Sequence, residues 1–382
     1  MHRRTLLAAL ALSTSTALAA DPPRYWVEVV GGLDPGASSP SGLVSFPLGM
    51  NNNGRVVGYS ATNGSPGQII NWKGGFISST PTVANTNRSF GSKVNILGRI
   101  AGAAYTADAG GAIIESRAVR WRGLVPEVLG TLGGQTSAAL GINDFDRIVG
   151  YSTLPGESQV RAFQWYNGVM SPLPNPSGAS LAYAYDISNA NHIVGVVGGP
   201  SPVKPVLWHN GSMYQLPIPA WSRTGSASAV NDSGVAVGNY EINQATGTFA
   251  AVAWINGQRL ELGNLGGSYA YAVAADVNNY GQIVGTSNSA AGHTGFIWIN
   301  GQMYDLRSRL LPGLDVPIIS AHAINDRGQI AAAALIEGRI TAVVLTPVGA
   351  STPTPGSAAV LFLGAVATLR RRRLNPRECG RR

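Results

Sequence analysis

The chain has 382 residues, of which 45% are hydrophobic and 12% are charged, and it contains 49 Gly and 23 Pro. This composition suits a turn-dense all-β core and excludes a disordered chain, which would be poor in hydrophobic residues and rich in net charge. The net charge of +8 comes from the two ends, since residues 21–369 hold 18 basic and 18 acidic side chains, and this excludes a nucleic-acid binder with a basic face.

The amino end is typical of a secretory signal peptide. Residues 1–19 have a basic start, an apolar stretch from Leu6 and an Ala-x-Ala exit at Ala17 and Ala19. We predict that cleavage occurs there and that the protein is exported to the cell envelope or the extracellular space. The exported chain is expected to contain no disulfide, because its only cysteine, Cys379, lies in a tail that we predict is removed.

Residues 20–347 contain a repeated motif of the form Asn-x-x-Gly-x-(Ile/Val)-x-Gly. Its seven copies begin at Asn51, Asn95, Asn143, Ser188, Asn231, Asn278 and Asn325. The intervals between them are 44, 48, 45, 43, 47 and 47 residues. Each motif is typical of two strands joined by a tight turn, and a second hairpin, often carrying Asn-Gly, follows it. Repeats of about 46 residues with four strands each predict an all-β, seven-bladed β-propeller.

A tryptophan follows each of the first six motifs by 20 to 26 residues, and a leucine takes its place in the seventh. These residues are Trp72, Trp121, Trp165, Trp208, Trp254, Trp298 and Leu345. A tryptophan buries roughly 150–250 Å² when it is packed. We therefore interpret these residues as packing between blades rather than stacking on a ligand.

The seventh repeat lacks a fourth strand, because its third strand, near Ile340 to Thr346, is followed directly by Pro347. The segment Arg24 to Leu33 precedes the first repeat and resembles the fourth-strand text of the others. We predict that this segment pairs with the third strand of the last repeat and closes the ring, which removes the sheet edges that an open array would expose.

The sequence contains no catalytic motif: it has no Gly-x-Ser-x-Gly, His-Glu-x-x-His or phosphate-binding glycine loop, and no cysteine pair. We predict no cofactor. The turn aspartates lack the ladder of a calcium loop, and we expect their side chains to bond their own backbone; they are Asp144, Asp146, Asp232 and Asp326. The histidines are placed in four different repeats, so no metal site is predicted; they are His192, His209, His293 and His322.

The connections from second to third strand and from one repeat to the next vary in length, and strand alternation places all of them on one side of the disc. Binding residues are commonly carried by such loops on a rigid scaffold. The predicted ligand-binding residues on this side are Tyr105, Tyr183, Trp221, Arg223, Tyr240, Tyr269 and His293. Single aromatic residues in loops also occur as packing or incidental surface, and that alternative stays open.

The function predicted from these features is a non-catalytic binding module at the cell surface or in the extracellular matrix, with extracellular polysaccharide or an envelope protein as partner. One alternative is a polysaccharide lyase or hydrolase with its site at the mouth of the channel, which requires converging carboxylates, Tyr or His. Another is a structural filler of the extracellular polymer. No nucleic-acid partner is expected.

The carboxy end has three features in a fixed order. Residues 348–357 form a Pro/Gly/Ser/Thr linker, residues 358–369 are apolar, and residues 370–382 form a basic tail. Twelve apolar residues are fewer than the roughly 20 that span a bilayer as a helix. We interpret the linker as a processing site and the apolar segment as a transient inner-membrane contact, held by an arginine cluster during export and sorting. The predicted processing residues are Pro353, Pro355, Gly356, Arg370, Arg371, Arg372 and Arg373.

Two resemblances accompany these features. The tail is similar to the PEP-CTERM type of sorting signal, with "PTPG" in place of Pro-Glu-Pro, and this implies processing by an exosortase and delivery to the envelope or extracellular polymer. The repeats resemble the extracellular HAF repeat family, named for His-Ala-Phe at the third strand. That triplet is written here as "RAF" at 161–163, "TGF" at 294–296 and "RAV" at 117–119. This family implies no established activity.

Overall fold

The computed structural model describes residues 22–33, 44–62, 65–108, 113–156, 159–199 and 202–349. They form 28 β-strands and one short 3-10 turn, Arg307–Arg309. Within these ranges no helix has the length and apolar character needed to cross a membrane. The strands are arranged in seven four-stranded antiparallel sheets, so the prediction of a seven-bladed β-propeller is confirmed.

The blades follow the order of the repeats. Blades 1 and 2 comprise β2 (Ser45–Met50), β3 (Val56–Thr62), β4 (Ser65–Lys73) and β5 (Phe76–Ser79), then β6 (Arg88–Val94), β7 (Arg99–Ala107), β8 (Ile113–Arg122) and β9 (Val125–Gly130). Blades 3 and 4 comprise β10 (Ser137–Ile142), β11 (Ile148–Thr153), β12 (Val160–Tyr166) and β13 (Val169–Pro172), then β14 (Leu181–Ile187), β15 (Ile193–Gly198), β16 (Val203–His209) and β17 (Ser212–Gln215). Blades 5 and 6 comprise β18 (Gly225–Val230), β19 (Ala236–Asn243), β20 (Thr248–Ile255) and β21 (Gln258–Gly263), then β22 (Ala272–Val277), β23 (Ile283–Ser289), β24 (Gly292–Ile299) and β25 (Gln302–Asp305). Blade 7 comprises β26 (Ile318–Ile324), β27 (Ile330–Ile336), β28 (Arg339–Val348) and β1 (Arg24–Val29).

The first strand of each blade is innermost, since it contacts the first strands of both neighbouring blades and lines the central channel. Antiparallel order then fixes two faces. The turns from first to second and from third to fourth strand lie on one face, which we call the turn face. The connections from second to third strand and between blades lie on the other, which we call the loop face. Each innermost strand runs from the loop face to the turn face.

The amino-terminal strand closes the ring, as predicted. β1 pairs antiparallel with β28 over six residue pairs, from Arg24 opposite Val348 to Val29 opposite Val343. Tyr25 is fully buried in the core between blades 6 and 7, whereas Trp26 is 52% exposed. One strand from the start of the chain therefore completes the last blade.

The core is divided among the seven blade interfaces. Each of seven clusters of buried side chains combines residues from two adjacent blades. The six repeat tryptophans lie in third strands and are at most 5% exposed, and Leu345 occupies the seventh position, fully buried. Three of the indole N–H groups donate to backbone carbonyls, as in Trp208 Nε1 to Pro174 O at 2.7 Å. The prediction that these residues pack between blades is confirmed.

Backbone geometry explains two recurrent features of each repeat, the Asn-Gly tip of the second hairpin and the last glycine of the motif. The Asn-Gly hairpin tips adopt positive φ at both residues, as at Asn256 (50°) and Gly257 (73°), which is the conformation of a tight two-residue turn. The last glycine of the motif lies where the innermost strand bulges toward its neighbour. A Cβ on Gly150 would be only 1.9 Å from the carbonyl oxygen of Ala138, so this position excludes a side chain.

The first asparagine of each motif forms a belt of hydrogen bonds around the turn face. In six blades its Nδ2 donates to the backbone carbonyl of the same position in the next blade, at 2.7–3.2 Å. Its Oδ1 also accepts a backbone N–H from its own turn, as Asn278 does from Gln282 at 3.0 Å. Ser188, in blade 4, has no amide, so the belt is interrupted between blades 4 and 5. The motif asparagine thus shapes its own turn and binds the neighbouring blade.

We expect Asn278→Ala to lower the free energy of unfolding by about 3 kcal/mol, because this buried amide bonds two turn N–H groups, the carbonyl of Asn325 and the side chain of Gln282. Ser188→Ala is the matched control, with an expected loss near 1 kcal/mol, since the described hydrogen bonds of the Ser188 side chain are to His192 of its own turn. Denaturant unfolding measures both values. Equal losses would show that the inter-blade bonds contribute nothing.

Candidate functional site

Aromatic side chains lie at the loop-face end of the channel, on the innermost and second strands of blades 7, 1, 2, 3 and 4. We call the following set the aromatic mouth: Phe46, Tyr59, Phe90, Tyr105, Tyr151, Tyr183, Tyr185 and His322. All eight side chains are partly exposed. The residues beside them along their strands are mostly buried, so the two-residue period of the strands leaves these side chains partly exposed at the loop-face end of the blades.

The rings of the aromatic mouth support one another across blades. Phe46 of blade 1 contacts His322 of blade 7 at 4.5 Å between ring centroids and stacks on Tyr59 at 5.7 Å. Tyr151 of blade 3 meets Tyr183 of blade 4 edge to face at 4.7 Å. Such arrangements are favoured by the ring quadrupole and restrict ring motion. The mouth therefore presents fixed ring surfaces rather than isolated side chains.

Five polar groups of the mouth, on Tyr59, Tyr151, Tyr183, Tyr185 and His322, are uncharged at neutral pH. Burial raises the pKa of the phenols of Tyr59, Tyr151 and Tyr183, and burial together with the neighbouring phenols raises the pKa of Tyr185 to about 12. Burial lowers the pKa of His322 to about 4. The site thus offers neutral hydrogen-bonding groups beside aromatic surfaces, which suits an uncharged polyhydroxyl ligand.

A cleft opens between blades 1 and 2 within this region. It has a volume of about 260 Å³, and Leu48, Tyr59, Gly67, Ser89, Phe90 and Tyr105 line it. Phe90 and Tyr105 form one wall, with ring centroids 6.3 Å apart. The cleft joins an apolar surface to phenol hydroxyls, and this is the usual character of a small-molecule or sugar subsite.

A second aromatic group lies on the loop face of blades 5 and 6. Tyr271 contacts Phe249, Tyr269 and His293, with the closest centroids 5.0 Å apart for Tyr271 and His293. The hydroxyl of Tyr269 and Nε2 of His293 are 3.1 Å apart, within hydrogen-bond distance. Tyr269 and His293 are exposed, so this pair extends the aromatic surface beyond the mouth.

The remaining predicted residues lie beside blade 5. Trp221 is 61% exposed and meets the ring of Tyr240 edge to face at 5.9 Å, and Arg223 is exposed in the same connection. Tyr240 is only 7% exposed, and its hydroxyl donates to Glu261 Oε2 at 3.0 Å. Burial and this carboxylate raise the pKa of Tyr240 to about 12. Tyr240 therefore supports Trp221 from below and offers little surface to a ligand.

The interpretation of Tyr105, Tyr183, Tyr240 and His293 as loop residues is wrong, because all four lie in strands. The strands extend further toward the loop face than the sequence pattern indicated. Trp221, Arg223 and Tyr269 do lie in connections between blades. The predicted processing residues lie outside the described residues; they are Ala17, Ala19, Pro353, Pro355, Gly356 and Arg370 to Arg373.

At the opposite end of the channel, a polar cavity of about 140 Å³ opens on the turn face. The three charged side chains at its inner end come from alternate blades: Lys93 from blade 2, Asp186 from blade 4 and Asp276 from blade 6. Lys93 Nζ lies 3.2 Å from Asp276 Oδ1 and 3.9 Å from Asp186 Oδ1. These side chains are 20%, 10% and 11% exposed, in the order Lys93, Asp276, Asp186. Sequence analysis did not identify this cluster.

Each carboxylate of this cluster also binds a backbone amide of the following blade. Asp186 Oδ2 accepts from Val230 N at 3.1 Å, and Asp276 Oδ2 accepts from Ile324 N at 2.9 Å. Burial raises the pKa of Asp276; Lys93 opposes that rise, and the negative charge of Asp186 adds to it. Burial opposes the charge of Lys93, but the two carboxylates outweigh it and raise the pKa of its ammonium group. The cluster is thus an ion-paired link across the channel.

The turn aspartates also link neighbouring blades, so the expectation that they bond their own backbone is wrong. Asp232 Oδ1 accepts from Asn189 N at 2.7 Å, and Asp326 Oδ1 accepts from Asn279 N at 2.9 Å. Asp144 makes the same bond to Ile96 N. Asp146, which has positive φ, pairs with Arg99 of the preceding blade.

The placement of the histidines in four repeats is also wrong for one pair. His192 and His209 both belong to blade 4, where their rings stack with centroids 4.2 Å apart. Parallel rings at this spacing do not direct two nitrogen lone pairs at one ion. Among the residues that the structure describes, no group of three or more His, Cys, Asp or Glu side chains is arranged to hold a metal ion.

Solved structures similar to this chain are β-propellers. The β-propeller domain of the Trilobed protease from Pyrococcus furiosus, described as having an open velcro topology, aligns with a TM-score of 0.51 at 12% identity, over 82% of this chain and 98% of that one. YCF48 bound to D1 peptide aligns with a TM-score of 0.50 at 9% identity, over 87% and 99%. No family model and no curated protein matches the sequence. At these identities the likeness shows the fold alone: the chain is a seven-bladed β-propeller whose ring is closed by its own first strand.

Proposed function

We propose that the protein is an exported, non-catalytic binding module that holds an extracellular polysaccharide at the aromatic mouth. The observation that carries this proposal is the arc of eight partly exposed, mutually supported rings over five adjoining blades. Aromatic faces bind the apolar faces of sugar rings, and neutral phenols bond the hydroxyls at their edges. The cleft between Tyr59 and Tyr105 has room for a single ring unit.

The chemistry of the mouth supports binding rather than cleavage. Its side chains are phenyl and phenol rings and one imidazole, with no carboxylate among them. A hydrolase of the usual kind needs two carboxyl groups that flank the scissile bond. The acids of the innermost strands, Asp186 and Asp276, lie toward the turn face and bind Lys93 and backbone amides.

We expect Tyr105→Ala and Tyr183→Ala each to weaken binding about 3- to 10-fold, since a stacking ring contributes roughly 0.5–1.5 kcal/mol. Native affinity electrophoresis in gels containing exopolysaccharide from the producing cells measures this effect. Tyr214→Ala is the control, because Tyr214 is equally aromatic and 55% exposed but lies on the outermost strand of blade 4.

Equal retardation of both mouth variants and of the parent would contradict binding at this site. Unretarded parent protein would favour the structural-filler alternative. Release of shortened polymer would favour the lyase or hydrolase. Trp221→Ala tests whether the ligand extends across blade 5, with the same gel and the same control.

A further inference from the structure

The turn face of blades 1 to 3 carries an unusual set of exposed apolar side chains. They are the six most exposed large apolar side chains of the described chain, between 62% and 84% exposed: Phe76, Leu97, Leu124, Val125, Phe145 and Val169. Each lies in a turn of this face or begins the strand that follows one. We call them the apolar tips.

Equivalent positions in the other blades of the same chain show whether these apolar residues are needed for the fold. The first residue of the fourth strand is Phe76, Val125 and Val169 in blades 1 to 3, and it is Ser212, Gln258 and Gln302 in blades 4 to 6. The fold is the same in both halves, and the blade cores do not use these positions. Neither folding nor core packing therefore requires apolar residues at the three tips. Contact with another surface, from which water is excluded, is the remaining physical explanation for these exposed apolar side chains.

Basic side chains accompany the apolar tips. Six basic side chains, of which Arg120 is buried, lie in or beside these turns, against three acidic ones of the same blades and Glu28 of β1: Arg55, Lys73, Arg99, Arg120, Arg122 and Arg147, against Glu127, Asp144, Asp146 and Glu28. Glu127 and Asp146 are bound by arginines, and Asp144 accepts a backbone amide. Lys73 is exposed, and the side chain of Arg122 is 50% exposed. The surface is therefore apolar and net positive.

Both ends of the described body also lie on this face. β28 ends at Val348 on the turn face, and β1 begins beside it at Arg24. Glu28 of β1 lies beside Gly75 in the blade 1 turn, where its Oε1 would be 3.8 Å from a Cβ at that position. The apolar run 358–369 begins only nine residues after Gly349. Any membrane contact of that run would bring the turn face, and not the loop face, toward the bilayer.

We propose that the apolar tips and their basic neighbours dock on the surface of an anionic lipid bilayer, so that the aromatic mouth faces away from the membrane. Protruding apolar tips between basic residues match an interface of acyl chains and negative headgroups. A second copy of the chain fits less well, because apposing two such faces brings like charges together.

The test uses the full chain with Cys379→Ser, which removes its only thiol. Val125→Cys or Gln258→Cys then carries a nitrobenzoxadiazole label at equivalent tips of blades 2 and 5. On vesicles of mixed phosphatidylglycerol and phosphatidylethanolamine, the label at 125 is expected to brighten and shift to shorter wavelength, and the label at 258 to stay unchanged. Adding Phe76→Ser and Val169→Ser should weaken the response at 125 about tenfold in lipid concentration. Phosphatidylcholine vesicles should give a smaller response.

Three results would overturn the proposal. Equal responses at 125 and 258 would mean that the tail tethers the body without orienting it. No response at either position would exclude bilayer contact. A shift at 125 without vesicles, growing with protein concentration, would assign the surface to a second copy. Melting temperatures of the variants, which change only exposed tips, are expected to match the parent and so exclude misfolding as the cause.

Discussion

Deletion of residues 24–33 is expected to lower the free energy of unfolding by on the order of 5 kcal/mol or more, a large part of the stability of a typical domain. The deletion removes all six pairs with β28 and the buried Tyr25, and it exposes an edge of blade 7. Ordinary chain ends tolerate such loss because they are not paired. Denaturant unfolding of the truncated and parent proteins measures the difference.

Point variants separate packing from strand pairing in this segment. Tyr25→Ala should cost about 3–5 kcal/mol, and Trp26→Ala, one residue away on the exposed side, less than about 1 kcal/mol. Tyr25→Phe is expected to be neutral or stabilising, since the buried hydroxyl has no hydrogen-bond partner among the residues that the structure describes. A truncated protein that melts within a degree or two of the parent would contradict the closure argument.

Lys93→Met is expected to lower the free energy of unfolding by about 3 kcal/mol near pH 7, because it leaves Asp186 and Asp276 close together without a cation. The loss should shrink as the pH falls. The pKa of Asp276 is already raised in the folded protein. The stability that comes from protonation of this carboxyl is therefore fully present below its unfolded pKa of 3.8, and it is lost as the pH rises through the folded pKa. Without Lys93 the folded pKa of Asp276 rises further, so the Lys93→Met variant loses stability over a wider pH range.

Unfolding titrations at several pH values measure this effect, with Lys73→Met as the control for removing an exposed lysine. Asp186→Asn and Asp276→Asn, added to Lys93→Met, should restore most of the stability near pH 7, because an asparagine keeps an oxygen for the backbone amides of Val230 and Ile324. A pH-independent loss would show that Lys93 acts through packing rather than charge.

The fold was accessible from the sequence because each blade repeats the same local solution. The Asn-x-x-Gly turn, the Asn-Gly tip and the buried tryptophan recur at one spacing, and a missing strand at one end with a spare strand at the other predicted the closure. These signals lie within single repeats, and the propeller forms by packing the repeats side by side.

The site was less accessible, because its residues meet only through the ring. Lys93, Asp186 and Asp276 are 93 and 90 residues apart, but each stands two positions before the first turn residue of its repeat. The same position holds Gly or Ala in the other four repeats, so aligning the repeats column by column would have exposed three facing charges. Tyr240 was misassigned for a different reason: its burial depends on Trp221 and Glu261, which no local pattern shows.

The pairing of β1 with β28 also determines when the ring can close during chain synthesis. Arg24 and Val348 are 324 residues apart, and β1 is made first but has no partner until the last blade is made. Blades 1 to 6 can form one after another from neighbouring hairpins, whereas the final step joins the most distant segments and is therefore the slowest to search. A chain that stops before Arg339 leaves β1 unpaired and a sheet edge free to associate with other chains. Only a chain synthesised through β28 can bury Tyr25, so the closing strand distinguishes complete molecules from incomplete ones.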